Sequence, residues 1–315
     1  MLKSPLCELL GITYPIFQGA MAWISDAELA AAVSAAGGLG IIAGGNAPAE
    51  AIRAEIRKAK TLTDRPFGVN IMLRSPHAEA LAAMVAEEQV AVITTGAGNP
   101  SRYMAAWQEA GSQVIPVVPS VGIAIRMERA GAAAVIAEGT ESGGHIGELT
   151  TMALIPQVAD AISIPLIAAG GIADGRGVAA SFMLGAVGVQ LGTRFLVAQE
   201  CNIPQIYKDK VIAAGDIDTI ATGRRLGHPV RALKTPFSRM YLAKEYDLSV
   251  TNEELEELGV GSLRLAAVDG DEQGGSFVAG QIAGLVKKEQ TAAEILAELS
   301  QEAEAVLQKA GQWVS

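Results

Sequence analysis

Short, continuously apolar runs recur every 20 to 31 residues, separated by segments that carry helix signals. They predict an α/β chain folded as a (β/α)8 TIM barrel. The runs begin near Tyr14, Gly38, Phe67, Val90, Gln113, Ala133, Ile164 and Val187. That spacing holds one strand, one helix and two short connections. Leu39-Gly-Ile-Ile-Ala43, Val114-Ile-Pro-Val-Val118 and Leu166-Ile-Ala-Ala169 show no polar alternation. Such strands are buried on both faces, as in a parallel sheet jacketed by helices. An open doubly wound sheet is the alternative, and the count of eight units favours the barrel.

The helix signals follow in order. Ser25 and Glu28 form a capping box ahead of Leu29–Val33. Ser75-Pro76 and Asn99-Pro100 each place a cap residue before a proline at the first helical position. The period stops near Leu196. Residues 199–275 are predicted to form an inserted subdomain or lid, leaving 1–198 and 276–315 as the barrel. Thr251 with Glu254, and Thr291 with Glu294, are two further capping boxes. The second opens a closing helix from Ala292 to about Ala310.

Composition limits the partners. Of 315 residues, 50% are hydrophobic but only 4% aromatic, and 35 are glycine. The core is therefore packed by small aliphatic side chains with close backbone approaches. A net charge of -10 argues against nucleic acid, whose binders carry a basic footprint. Cys7 and Cys201 are too few and too far apart to suggest a disulfide framework or a zinc site, and no catalytic metal is expected. Pro5 and Glu8 interrupt the N-terminus, so no signal peptide is read there. Gly37, Gly38 and Gly40 break the apolar stretch after Ala30, so no membrane span is read there. A cytoplasmic location is expected.

Barrel enzymes keep their chemistry at the C-terminal ends of the strands. Here those ends are Gln18-Gly19-Ala20-Met21-Ala22, Asn70, Thr94-Thr95-Gly96, Glu138, Gly170-Gly171 and Gln190-Leu191-Gly192-Thr193. The sixth run leads into Glu138-Gly-Thr-Glu-Ser142-Gly143-Gly-His145, a glycine-rich loop with one histidine. Glycines admit a ligand where a Cβ would clash, and a histidine can move or hold a proton near neutral pH. The loops after the seventh and eighth strands of such barrels often bind phosphate, and Gly170-Gly171 and Gly192-Thr193 occupy them. A phosphorylated ligand is expected there. No G-x-G-x-x-G follows a strand, so no Rossmann unit is present to hold a nicotinamide cofactor.

At these residues the chain resembles the nitronate monooxygenase superfamily of flavin barrels. Pro15-Ile-Phe-Gln-Gly-Ala-Met-Ala22, Phe67-Gly-Val-Asn70, the Gly143-Gly-His145 loop and Ala168-Ala-Gly-Gly-Ile172 carry the similarity. Thr95-Gly-Ala-Gly-Asn-Pro100, Val117-Val-Pro-Ser120, His145-Ile-Gly-Glu-Leu-Thr-Thr-Met152 and Gly280-Gln-Ile-Ala-Gly-Leu-Val286 look like one branch, the flavin-dependent enoyl-acyl-carrier-protein reductase II or FabK type. The resemblance implies FMN, with its phosphate near Gly171 and Thr193 and its ring across the mouth near Gly19 to Ala22 and Asn70. Thr95, Glu138, Ser142, Gly143, Gly170, Gln190 and Gly192 complete the expected cofactor set. It implies NADH or NADPH as co-substrate, a trans-2-enoyl thioester on acyl carrier protein, His145 as the catalytic residue, and a dimer. Nitronate oxidation is the alternative activity.

One feature of the sequence favours the reductase. From Ala221 to Met240 the chain holds Arg224, Arg225, Arg231, Lys234 and Arg239 with no acidic residue. A basic stretch on an acidic chain suits an acidic carrier protein or the phosphates of NAD(P)H.

Overall fold

The computed structural model describes residues 2–313. Met1, Val314 and Ser315, at the outer limits of the two predicted barrel segments, lie outside the described residues. Eight parallel strands close into a barrel. They are β1 (Ile16–Gln18), β2 (Leu39–Ala43), β3 (Gly68–Met72), β4 (Val92–Gly96), β5 (Gln113–Val118), β6 (Val135–Glu138), β8 (Leu166–Ala169) and β9 (Gly188–Leu191). β9 closes on β1, with Phe17 opposite Gln190. Each strand starts within two residues of its predicted run.

Strand parity divides the core in two. Phe17, Leu39, Ile41, Val92, Ile115, Ile136, Ile167 and Ala169 fill the barrel interior. Ile16, Ile42, Val69, Ile93, Val135, Ala168 and Val189 pack outward under the helices. Burying a side chain such as Ile136 fully contributes about 1.5–3 kcal/mol. The helix Pro5–Leu10, capped by Ser4, puts Leu6 and Leu10 into the interior cluster. It plugs the N-terminal end, because a Cβ on Gly188 would meet Leu6 Cδ1 at 2.5 Å. The opposite end remains for a site.

Two helix starts differ from the sequence reading. Asp26, not Ser25, caps the helix Ala27–Ala35 by accepting from the Leu29 amide. The Ser25 hydroxyl instead accepts from Gln18 Nε2 and the Met21 amide, both at 2.9 Å. Ser75-Pro76 and Asn99-Pro100 form turns, and their helices begin later, at Ala78 and Met104. Asn99 Oδ1 accepts from the Ser101 amide, which holds the chain in a turn rather than a helix. Both Thr capping boxes form, opening the helices Asn252–Gly259 and Ala292–Lys309.

After β9 the chain forms the helix Gln205–Ala213, then β10 (Thr219–Thr222) and β11 (Val230–Leu233), then the helices Pro236–Tyr246 and Asn252–Gly259. Tyr207, Val211, Leu233 and Ala266 of this segment join the main core. Phe237, Tyr241 and Leu255 form a small core of their own. The closing helix Ala292–Lys309 lies close against the helix Gly175–Met183. A Cβ on Gly175 would come within 2.2 Å of Glu302 Cβ.

Candidate active site

The histidine loop is not a free loop. Gly144–His145 forms a two-residue strand, β7, which pairs antiparallel with β11. The order β10-β11-β7 makes a second small sheet at the barrel mouth. The Ile146 amide extends the ladder by donating to Pro229 O at 3.0 Å. Arg231 locks it from beneath. It is buried and donates to Thr140 O from two nitrogens, at 3.2 and 3.3 Å.

A second latch ties the loop to the barrel. The Glu141 carboxylate accepts from the Thr151 amide at 2.9 Å, at the start of the helix Thr151–Ala159. The Thr151 hydroxyl reaches Gly170 O at 2.8 Å. The closing segment packs on the same loop, with the Gln281 amide donating to Glu141 O at 2.9 Å. A Cβ on Gly143 would meet the carbonyl carbon of Ala279 at 2.7 Å. The Gly280 amide donates to the Thr193 hydroxyl at 2.8 Å, so that oxygen keeps its own proton to give elsewhere.

The predicted residues gather at this one end. Register places Glu138, Ala169 and Gln190 on neighbouring rungs of β6, β8 and β9. The Gln190 side chain lies over Gly19, where a Cβ would approach its Cδ to 3.0 Å. Met21 Sδ is the nearest group to the Cβ position of Gly192, at 3.7 Å. Ala22 faces Gly45 of the β2 loop in the same way, and Ala20 packs against the interior cluster. Asn70 Nδ2 donates to Thr94 Oγ1 at 2.9 Å. Gly170 and Gly171 both have positive φ, at 87° and 75°, a run of left-handed backbone that favours glycine.

Thr95 is the exception among the predicted cofactor residues. It lies opposite Ile71 and shares the outward parity of Ile93, while Thr94 shares the inward parity of Val92. Strand periodicity is two, so choosing the neighbouring threonine selects the opposite face. The basic stretch also divides. Arg231 is spent on Thr140, and Arg225 donates to Asn252 Oδ1 and to the carbonyls of Glu245, Asp247 and Val250. Arg224 and Arg239 are exposed and Lys234 half-buried, so these three of the five remain for an outside partner.

Charge is tuned at the mouth. Burial pushes the Glu138 carboxyl up to about 7, against a lowering hydrogen bond from Ser142 Oγ at 3.2 Å. Part of its surface is open to the mouth, but protein crowds the carboxyl itself. His145 is exposed at the rim. Crowding by the walls, then His228, then Arg74 hold its imidazole below the ordinary histidine range. His228 stands with its ring centroid 6.3 Å from that of His145. Arg74, Glu141, Thr151 and His228 were not singled out as site residues from the sequence, because only loop closure brings them here. Among the described residues, no group of three or more His, Cys, Asp or Glu could hold a metal ion, and no helix is long and apolar enough to cross a membrane.

A family model for nitronate monooxygenase matches residues 3–89 and 78–302. The chain belongs to the nitronate monooxygenase family. Within it, the chain is similar to the structure of FabK from Thermotoga maritima. Identity is 47%, TM-score 0.97, and the whole of both chains is covered. A nitroalkane oxidase structure from Streptomyces ansochromogenes shares 29% identity over 97% of this chain and 99% of that one, with a TM-score of 0.85. A probable nitronate monooxygenase of Staphylococcus aureus is 33% identical over 86% of this chain and 89% of its own. An octahydroindene-carboxyl-CoA dehydrogenase of Mycobacterium tuberculosis is 40% identical over 74% of this chain and 67% of its own. The monooxygenase, oxidase and dehydrogenase names each describe a redox enzyme, and the chain is an oxidoreductase.

Proposed function

We propose that this family member is an FMN-dependent enoyl-acyl-carrier-protein reductase that uses NADH or NADPH. The observation that carries the reading is the full-length similarity to a FabK structure, at 47% identity. The other relatives share less of the sequence or less of the chain. The basic stretch supports it less than the sequence suggested, since Arg225 and Arg231 are spent within the fold.

The residues present fit the flavin. Glycine at 19 lets the Gln190 side chain lie close over the backbone there, since a Cβ would press on that side chain at 3.0 Å. Asn70, Thr94 and Gln190 offer donors and acceptors suited to the edge of a flavin ring. Gly170, Gly171, Gly192 and Thr193 are the candidates for the phosphate. When bound, FMN supplies the hydride relay between nicotinamide and the enoyl β-carbon.

The chain's own residues supply the rest. With its proton affinity lowered, His145 is an uncharged imidazole at neutral pH and has one N–H to give. It donates that hydrogen bond to the thioester oxygen, where charge develops during reduction. Glu138, near half-protonation at neutral pH, holds a proton for the α-carbon. The substrate is presented by acyl carrier protein, with Arg224 and Lys234 as candidate contacts.

The test is oxidation of NADH, and in parallel NADPH, by the purified protein with crotonyl-coenzyme A in the absence of oxygen. Substrate-dependent oxidation is expected. A rate no higher than without crotonyl-coenzyme A rejects the reductase. The family match favours nitronate oxidation as the second reading, and oxygen uptake with an alkyl nitronate in the absence of NADH would establish it.

A further inference from the structure

Arg194 follows Thr193 directly, in the short helix Thr193–Leu196 after β9. Arginine is almost never fully buried unless paired, yet this residue is only 5% exposed. Its Nη2 donates to Gln290 Oε1 of the closing segment. Glu298 Oε1 stands 3.8 Å from the same nitrogen, too far for a hydrogen bond. The other Glu298 oxygen is taken by Lys288 Nζ and Gln290 Nε2, each at 2.7 Å. Among the described residues, Arg194 Nη1 is the one buried side-chain nitrogen or oxygen with no hydrogen-bond partner. An arginine keeps its charge even so.

The surroundings set where that charge acts. Glu298 and Glu302 lie one turn apart on the closing helix Ala292–Lys309. Glu302 Oε2 accepts from the Gly175 amide at 3.0 Å, in the first turn of the helix that follows Gly170-Gly171. The guanidinium therefore sits where the chain after Gly192-Thr193 meets the closing helix and the helix after Gly170-Gly171. Glu298 is half-buried and Glu302 exposed, so water screens both carboxylates. The buried guanidinium is screened much less. Burial outweighs the pull of the two carboxylates on it.

We propose that Arg194 supplies uncompensated positive charge behind the Gly170-Gly171 and Gly192-Thr193 loops, and that this charge makes the site prefer a flavin with a phosphate over one without. The inference rests on the flavin reading above and deepens it. A buried charge short of partners destabilises the fold, and an anion at the two loops offsets that cost. No contact is required. Two unit charges about 10 Å apart near a protein surface still change a binding constant roughly tenfold. Arg194 also ties the closing segment to the barrel through Gln290, and loosening that tie would weaken every flavin alike.

FMN and riboflavin share ring and ribityl chain and differ in the phosphate, so they separate the two roles. The full-length protein, freed of flavin, is titrated with each, and quenching of flavin fluorescence gives both affinities. The parent should prefer FMN. In Arg194→Gln that preference should fall roughly tenfold. In Arg194→Lys, which keeps the charge, it should stay near the parent value. Glu298→Gln leaves Arg194 in place and removes a carboxylate beside it, so the preference should rise. An unchanged preference in Arg194→Gln, with both flavins weakened alike, makes Arg194 a latch only and overturns the proposal. If Arg194→Gln does not fold, Glu298→Gln decides: a preference that does not rise overturns the proposal. A parent that binds both flavins equally, or neither, is a different failure, and it rejects the phosphate site itself.

Discussion

His145 and Val230 stand opposite one another in an antiparallel ladder, and the next pair joins Gly144 to Arg231. The loop bearing the candidate catalytic histidine is therefore an edge strand, and its partner strand lies far along the chain. Backbone pairing sets where the imidazole points, while its exposed edge faces the mouth. Order in the loop thus depends on residues that touch no substrate.

Arg231 tests that dependence. Arg231→Met removes the donors to Thr140 O and Thr219 Oγ1 while keeping most of the apolar stem. Leaving a buried carbonyl without its donors costs about 1–3 kcal/mol, an upper bound for the half-buried Thr140. Urea unfolding should show a loss of up to that size, and turnover should fall more than flavin affinity. Unchanged stability would make the latch dispensable.

His145→Ala should keep the flavin and lose the chemistry. Removing a positioned acid or base typically costs about 10²–10⁴-fold in rate. The visible flavin spectrum should be unaltered while enoyl thioester reduction falls by that factor. Parent-like turnover would take His145 out of the mechanism.

Glu138 predicts a pH dependence of stability. Its folded value, about 7, lies above the ordinary 4.5, so the folded state holds the proton more tightly than the unfolded one. The contribution from this group is fully present below about pH 4.5 and is lost as pH rises through 7. Glu138→Gln has no proton to lose there. The variant and parent should unfold at similar urea concentrations near pH 4.5, and the variant should become relatively more stable toward pH 8. Parallel curves across that range would contradict the buried-carboxyl assignment.

Gly143→Ala tests the closing segment. An added Cβ would press on the Ala279 carbonyl carbon and the Gly280 amide nitrogen, at 2.7 and 2.8 Å. Both are backbone atoms, so the contact yields only if the two segments part. We expect a cooperative loss of thermal stability together with weaker flavin retention. Wild-type retention would mean that the contact does not shape the mouth.

The barrel was legible because its signal is local. A run such as Val114–Val118 is a strand wherever it lands, and eight of them leave few arrangements. Residues at the strand ends were legible to within one position. Thr94 and Thr95 are both polar and adjacent, and only register shows which one turns inward. Ser25 and Asp26 pose the same ambiguity at a helix start. Either can cap, and the pull of Gln18 on the Ser25 hydroxyl decides between them. β7 was not legible at all. Two residues, Gly144 and His145, carry no periodicity, and their strand character comes wholly from β11. Arg231 read as surface charge for a similar reason. A burying partner as distant as Thr140 leaves no mark on neighbouring residues.

The contacts of Thr193 with Gly280 and of Glu141 with Gln281 also bear on how the molecule matures. All eight barrel strands have been synthesised by Leu191, and domains generally fold as units while the chain emerges from the ribosome. A nascent chain halted there could close its barrel yet lack the sheet and the segment that line its mouth. Competence to retain a cofactor should therefore arise late, as a separate event, once Ala279 to Gln281 have emerged and docked.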